Sequence, residues 1–211
     1  MKNNKKYLVI LLFFLVLWIA YLTFINWKCR IIIKDNVFIG IKSGITEKKE
    51  DLKVVEIPDG VSEIGIFAFA DCVNLEMVTL SDGIKEIEMG AFYNCPNLKD
   101  IKLPERLEVI RNGAFFKCKS LTEIDIPNDV RVIEEGAFSD NDIQTLEFTA
   151  PASIKYIGAK AFLSNALKDV TIPSSIENID EYAFASNLFE NYALKIDSKE
   201  ESVTFKVNAL D

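Results

Sequence analysis

From Leu52 onward the apolar positions follow one template, apolar-x-x-apolar-x-apolar, which recurs every 22 to 24 residues. In the first unit the template is filled by Leu52, Val55 and Ile57, and the last two stand two apart, the period of a half-buried strand. A proline usually follows, at Pro58, Pro104, Pro127 and Pro173, and ends the strand because it has no N–H to donate. A second apolar pair, such as Val61 and Ile64 or Val130 and Ile133, predicts another short extended stretch. Each unit closes on a turn, with Gly90, Gly113 and Gly136 in three of them, and on an Ala-Phe pair expected to form one helical turn back to the next strand.

Six such units begin at Leu52, Leu75, Leu98, Leu121, Ile143 and Leu167. Ordering the backbone of one unit costs more than burying its half-dozen apolar side chains returns, so a lone unit does not fold. Stacking lets each unit cover both neighbours, which is the logic of a solenoid. At a strand spacing of about 4.8 Å, six coils make a rod or arc roughly 29 Å long. Phe69, Phe92, Phe115, Phe138, Phe162 and Phe184 then form one interior column, whose fixed register with the strands favours core packing over a ligand platform.

The predicted fold is therefore a β-rich, α/β-type solenoid over residues 52–188 with short helical turns. Its open ends need covering. The stretch 28–51 supplies an N-terminal cap, with a hairpin over Arg30–Gly44 turning at Asp35-Asn36 and a charged connector over Thr46–Asp51. Residues 189–211 supply a C-terminal cap, with a second hairpin expected over Tyr192–Val207.

With "AFADC", "AFYNC" and "AFFKC" at residues 68–72, 91–95 and 114–118, the chain resembles the BspA-type leucine-rich-repeat proteins, found largely on microbial surfaces. The resemblance covers about Leu52 to Leu188 and rests on period, proline, Ala-Phe and cysteine recurring together. It departs where Ser139–Asp142, Asn165 and Asn187 replace the cysteine region, and in the fifth unit, where Pro151 is displaced. What it implies is a leucine-rich-repeat solenoid held outside the cell that serves adhesion or recognition of proteins and other cell-surface macromolecules.

Ahead of the repeats, Tyr7 to Trp27 runs 21 residues without a charge, behind a basic flank (residues 1–6) holding Lys2, Lys5 and Lys6. As a helix it would cover about 32 Å, the thickness of a bilayer's hydrocarbon core. Trp18 stands where a cleaved signal peptide would have a small residue, which favours an uncleaved transmembrane anchor with Tyr7, Trp18 and Trp27 as its aromatic markers; a cleaved signal is the alternative. Charge does not decide its orientation, because Lys28, Arg30, Lys34 and Lys42 on the far side balance the near flank. No sorting signal closes the chain at "VNALD", so anchoring is assigned to residues 7–27, with the lipid bilayer as their partner.

Without the three leading lysines the chain holds 21 basic against 32 acidic residues, a net charge of −11, which repels nucleic acid and anionic lipid at a distance. The sequence has no histidine, so it offers no His-based triad, general base or metal site. "GIKSG" at residues 40–44 lacks the ending and spacing of a phosphate loop, and Glu134-Glu135 and Glu200-Glu201 stand at expected turns. Cys72, Cys95 and Cys118 lie one period apart, where side chains of neighbouring rungs run parallel; they read as buried small apolar residues rather than a disulfide or metal site. Cys29 reads as an inert residue beside the apolar segment, with lipidation or an intermolecular bridge as its alternatives. No enzymatic activity, cofactor or small-molecule substrate is expected.

A binding surface is expected on the strand face, where each unit exposes the positions between its inward apolar residues. One exposed column reads Val54, Met77, Asp100, Glu123, Thr145, Asp169, and the next reads Glu56, Thr79, Lys102, Asp125, Glu147, Thr171. Both pass from apolar or mixed to acidic. Val54 and Met77 would make an apolar patch, but the Arg30–Gly44 hairpin is expected to fold over them as part of the cap. Tyr93 and Phe116 form a second candidate, an aromatic pair on the opposite side, either exposed or partly buried against the turns. The function these observations favour is a membrane-anchored binding module; the alternative is an assembly scaffold that associates with envelope proteins.

Overall fold

A computed structural model of the 211-residue chain describes residues 30–42, 52–189, 194–197 and 204–205. Each coil carries two short strands and a turn, which gives the solenoid three sides. The strand face holds β3 (Val54–Glu56), β5 (Met77–Thr79), β7 (Asp100–Ile101), β9 (Glu123–Ile126), β11 (Thr145–Phe148), β13 (Val170–Pro173) and β15 (Leu194–Asp197). The rear sheet holds β4 (Glu63–Ile64), β6 (Glu86–Ile87), β8 (Val109–Ile110), β10 (Val132–Ile133), β12 (Tyr156–Ile157), β14 (Asn178–Ile179) and β16 (Thr204–Phe205), all parallel. β1 (Arg30–Lys34) and β2 (Val37–Lys42) join it at one edge, making nine strands. On the strand face the ladder is interrupted between β7 and β9 and again between β11 and β13.

The third side carries no helix among the described residues, so the Ala-Phe segment is a chain of turns rather than the helical turn expected. The reason lies in where its N–H groups point. Phe67, Phe69 and Asp71 donate to the carbonyls of Met89, Ala91 and Tyr93 one coil onward, at 3.0, 2.7 and 2.8 Å. The intervening Ala68, Ala70 and Cys72 donate to Gly65, Phe67 and Phe69 in their own coil. Every second donor is thus spent along the solenoid axis, which leaves no continuous run for helical pairing. Two left-handed residues per coil make the bends, at Phe67 and Asp71, Gly90 and Asn94, Gly113 and Lys117, Gly136 and Asp140, Lys160 and Ser164, and Tyr182 and Ser186.

The interior column forms as the period predicts. Six stacking contacts run from Phe38 through Phe69, Phe92, Phe115, Phe138 and Phe162 to Phe184, with ring centroids 4.6 to 5.3 Å apart and planes within 8° of parallel. Near-parallel rings follow from repeating one backbone geometry each coil. Phe38 of β2 heads the stack, so the cap hairpin closes the core with the same side chain that the coils use. Its turn lies at Asp35-Asn36, both left-handed, the backbone of a tight two-residue hairpin.

Cys72, Cys95 and Cys118 are buried and free, as their spacing predicts, while Cys29 lies outside the described residues. Cys95 and Cys118 donate their thiols to the carbonyls of Phe69 and Phe92 in the preceding coil, both at 3.1 Å. Burial pushes the Cys118 thiol up to about 12 and raises that of Cys95 strongly. Asn165 and Asn187 occupy the same place in later coils and donate to Phe138 and Phe162 at 2.8 and 2.9 Å.

At the far end β15 pairs with β13 and β16 with β14, each in parallel register. The stretch expected as a second hairpin therefore extends both sheets by one rung. The apolar stretch 7–27, with Tyr7, Trp18 and Trp27, lies outside the described residues; among the described residues no helix is long and apolar enough to cross a membrane.

Candidate functional site

The strand face brings the predicted residues into register. Val54 stands opposite Met77 and Met77 opposite Asp100, while Glu123 stands opposite Thr145 and Asp125 opposite Glu147. Thr79, Asp100, Lys102, Glu123, Asp125, Glu147 and Asp169 are all exposed, and Met77 is half-buried. Val54 is 63% exposed, which overturns the expectation that the hairpin covers it. β2 pairs with β4, so the hairpin belongs to the rear sheet and leaves the strand face open.

Two grooves mark this face where its ladder is interrupted. One of about 400 Å³ lies between β7 and β9 and is lined by Asp100, Lys102, Glu123, Asp125 and Glu147. One of about 880 Å³ lies between β11 and β13, with the displaced Pro151 of the fifth unit in its wall beside Glu147 and Asp169.

Charge is handled differently on the two sheets. Near the rear sheet Arg111 reaches Glu86 at 2.7 Å and Glu134 at 2.9 Å, tying three coils together, and those carboxylates hold its guanidinium protonated. Lys85 pairs with Glu108 and Lys155 with Glu177, both at 2.9 Å. The Lys85 hydrogen bond lowers the Glu108 carboxyl below its ordinary range. The leading edge of the strand face has its own ladder, Lys53–Glu76–Lys99, in which Lys99 depresses the Glu76 carboxyl. Among the described residues, Asp100, Glu123, Asp125, Glu147 and Asp169 form no ion pair. Their charge is open to a partner.

The turn face carries the aromatic pair. Tyr93 and Phe116 stack at 5.2 Å with planes 18° apart, and both are half-buried. The Lys117 ammonium lies 5.1 Å from the Phe116 ring centre. Phe67 meets Tyr93 edge-on at 6.3 Å, a partner that pattern reading missed because Phe67 fills a left-handed position which the next three coils give to glycine. Its ring lies over Gly90, where a Cβ would come within 2.2 Å of it. Only glycine at 90 admits the ring there. These residues line an open groove of about 480 Å³ that runs past Gly113 and Gly136 to Lys160 and Leu163. Among the described residues no cluster of acidic or cysteine side chains is arranged to hold a metal ion.

A sequence profile of the BspA type leucine rich repeat region matches residues 32–152 and 142–207, in six copies. A leucine rich cell surface protein from Faecalibacterium prausnitzii is 29% identical, and the match covers 70% of this chain and 40% of that one with a TM-score of 0.56. The pneumococcal vaccine antigen PcpA is 21% identical over 80% of this chain and 47% of its own, with a TM-score of 0.55. A leucine-rich repeat protein from Eubacterium ventriosum is 18% identical over 79% and 52%, with a TM-score of 0.52. These last two share the fold. The chain spans about half or less of the length of each of these three structures. No curated protein matches it.

Proposed function

Since the chain belongs to the BspA-type leucine-rich-repeat family, we propose that it is a membrane-anchored, surface-displayed recognition module whose strand face engages a basic protein surface. The observation that carries this reading is the set of carboxylates without an ion pair on neighbouring strands, Asp100, Glu123, Asp125 and Glu147, beside a rear side where Lys85, Arg111 and Lys155 are paired with carboxylates. Charges left open in rows steer an oppositely charged partner and fix its register. Display outside the cell is supported by the cell surface description of the Faecalibacterium relative, and anchoring by the apolar stretch 7–27. A non-catalytic role is supported by the lack of histidine in the sequence.

A second reading, an assembly scaffold, draws on the aromatic groove around Tyr93 and Phe116, since stacked half-buried aromatics make good anchors for a protein contact. One experiment separates the two. Full-length chain carrying Glu123→Lys and Asp125→Lys is compared with chain carrying Tyr93→Ser and Phe116→Ser for retention on cells and crosslinking to envelope proteins. Recognition through the strand face predicts that the charge reversal lowers retention about tenfold and removes its salt dependence. Unchanged retention with the reversal, and loss of crosslinks with the aromatic variant, would transfer the function to the turn face.

A further inference from the structure

The exposed large apolar side chains are not spread along the solenoid. Of six among the described residues, five lie between positions 33 and 89: Ile33 at 42% exposed, Val54 at 63%, Ile66 at 58%, Phe67 at 46% and Met89 at 41%. They do not share one face. Val54 stands on the strand face, Ile66, Phe67 and Met89 lead into the turns, and Ile33 lies on β1. What they share is a level along the axis.

The same columns turn polar farther on. Ile66 and Met89 are followed in later coils by Asn112, Glu135, Ala159 and Glu181, and Val54 and Met77 by Asp100 and Glu123. An apolar belt around one end of an acidic rod has the form of a surface that meets an apolar phase end-on. Charge is graded the same way. Residues 28–53 hold seven basic against four acidic side chains, whereas residues 54–211 hold 14 against 28.

We infer that this end rests on the lipid bilayer, with the hairpin and the first coil seated in its interface and the acidic coils held away from it. The inference depends on the anchor reading of residues 7–27 proposed above. Trp27 is three residues from Arg30, where β1 begins, so the link spans at most about 10 Å. Even fully extended, that length leaves the start of the hairpin within a few ångströms of a headgroup layer roughly 5–7 Å deep. The rear sheet runs β1, β2, β4, so the first coil stands about 10 Å from β1, within the roughly 5–10 Å to which interfacial apolar groups sink, and the second coil lies just beyond. Arg30, Lys34 and Lys42 against Asp35 leave the hairpin basic, and with the acidic coils beyond it this favours an upright rod over an anionic leaflet. The strand face then stays clear of lipid along most of its length.

The test uses full-length chain with Trp18→Phe and Trp27→Phe in vesicles of phosphatidylcholine containing some phosphatidylglycerol. One tryptophan is introduced either by Ile66→Trp in the first coil or by Glu135→Trp in the same column of the fourth, about 14 Å farther along the axis. Lipids brominated on their acyl chains are the quencher, and flotation of the chain with the vesicles is recorded beside it. Seating predicts severalfold stronger quenching of the tryptophan at 66 than of that at 135. Flotation with equal quenching at the two positions overturns the inference and leaves the anchor standing. Blue-shifted emission at 66 without quenching also overturns it, since protein rather than lipid then covers the belt. Failure to float removes the anchor reading and the inference with it.

Discussion

In the first three coils the residue that closes each turn is Cys72, Cys95 or Cys118; in the last three it is Asn141, Asn165 or Asn187. Both kinds hydrogen-bond to a phenylalanine carbonyl. In the first half a thiol reaches it, as from Cys95 to Phe69 at 3.1 Å. In the second half an amide reaches it and does more: the Asn165 side chain donates to Phe138 at 2.8 Å and accepts the N–H of Ile143 at 3.1 Å. Asn187 does the same with Phe162 and Leu167. The position is defined by a carbonyl in a buried bend that can take a side-chain donor, and two unlike side chains meet it with different numbers of bonds.

The largest effect is expected at the feature both halves share. Phe115→Ala opens a gap between two stacked neighbours and is expected to cost about 3–5 kcal/mol, read from denaturant unfolding. A cost no greater than that of a surface change would mean that the column is not the core of either half.

The halves should separate at the next level. Asn165→Ala strips the Ile143 N–H of its side-chain partner, while the Phe138 carbonyl keeps the Asn141 amide at 3.0 Å, and is expected to cost about 1–3 kcal/mol. Cys95→Ala removes one weak donor and little volume, with an expected cost of about 1 kcal/mol. Equal costs would erase the distinction. Thiol labelling gives an independent check: Cys72, Cys95 and Cys118 are buried, and the raised thiols of Cys95 and Cys118 keep them from forming thiolate, so all three should label on unfolding and not before.

The smallest effect concerns pH and also falls on the first half. Burial, then Glu88 and Glu86, raises the Glu63 carboxyl, so its contribution is favourable below its unfolded range and is lost as pH rises through the folded value. Glu63→Gln is therefore expected to raise the unfolding midpoint slightly at neutral pH, with the difference vanishing below about pH 4. Glu76 and Glu108, depressed by Lys99 and Lys85, act with the opposite sign and lose their contribution as pH falls. A Glu63→Gln midpoint lower than that of the parent chain at pH 7 would contradict the assignment.

Much of this architecture was readable from residues alone, because a solenoid writes each interior position once per coil. The strand registers, the phenylalanine column and the Asp35-Asn36 turn all follow from period and turn chemistry. The turn side was not readable in the same way. Ala-Phe beside glycine suits a helical turn, and nothing in Phe67, Lys160 or Tyr182 announces a left-handed backbone; the lattice of bonds to neighbouring coils imposes it. Phe38 went unrecognised because alternation within "VFIGI" does not say which ring meets the first coil. The strand-face columns were legible, yet the exposure of Val54 was not, since it depends on which sheet the hairpin joins.

The bonds between coils run along the axis on all three sides, on the strand face, on the rear sheet and through the alternate N–H groups of the turns. Under the proposed anchoring at one end and binding toward the other, that axis is the direction of mechanical load. Within one junction the bonds share the tension side by side, while successive junctions carry it one after another. Such a rod yields by shedding whole coils. Each 23-residue coil that lets go pays out roughly 76–83 Å of extended chain, turning a stiff spacer into a shock absorber that lengthens in steps before the tether is lost.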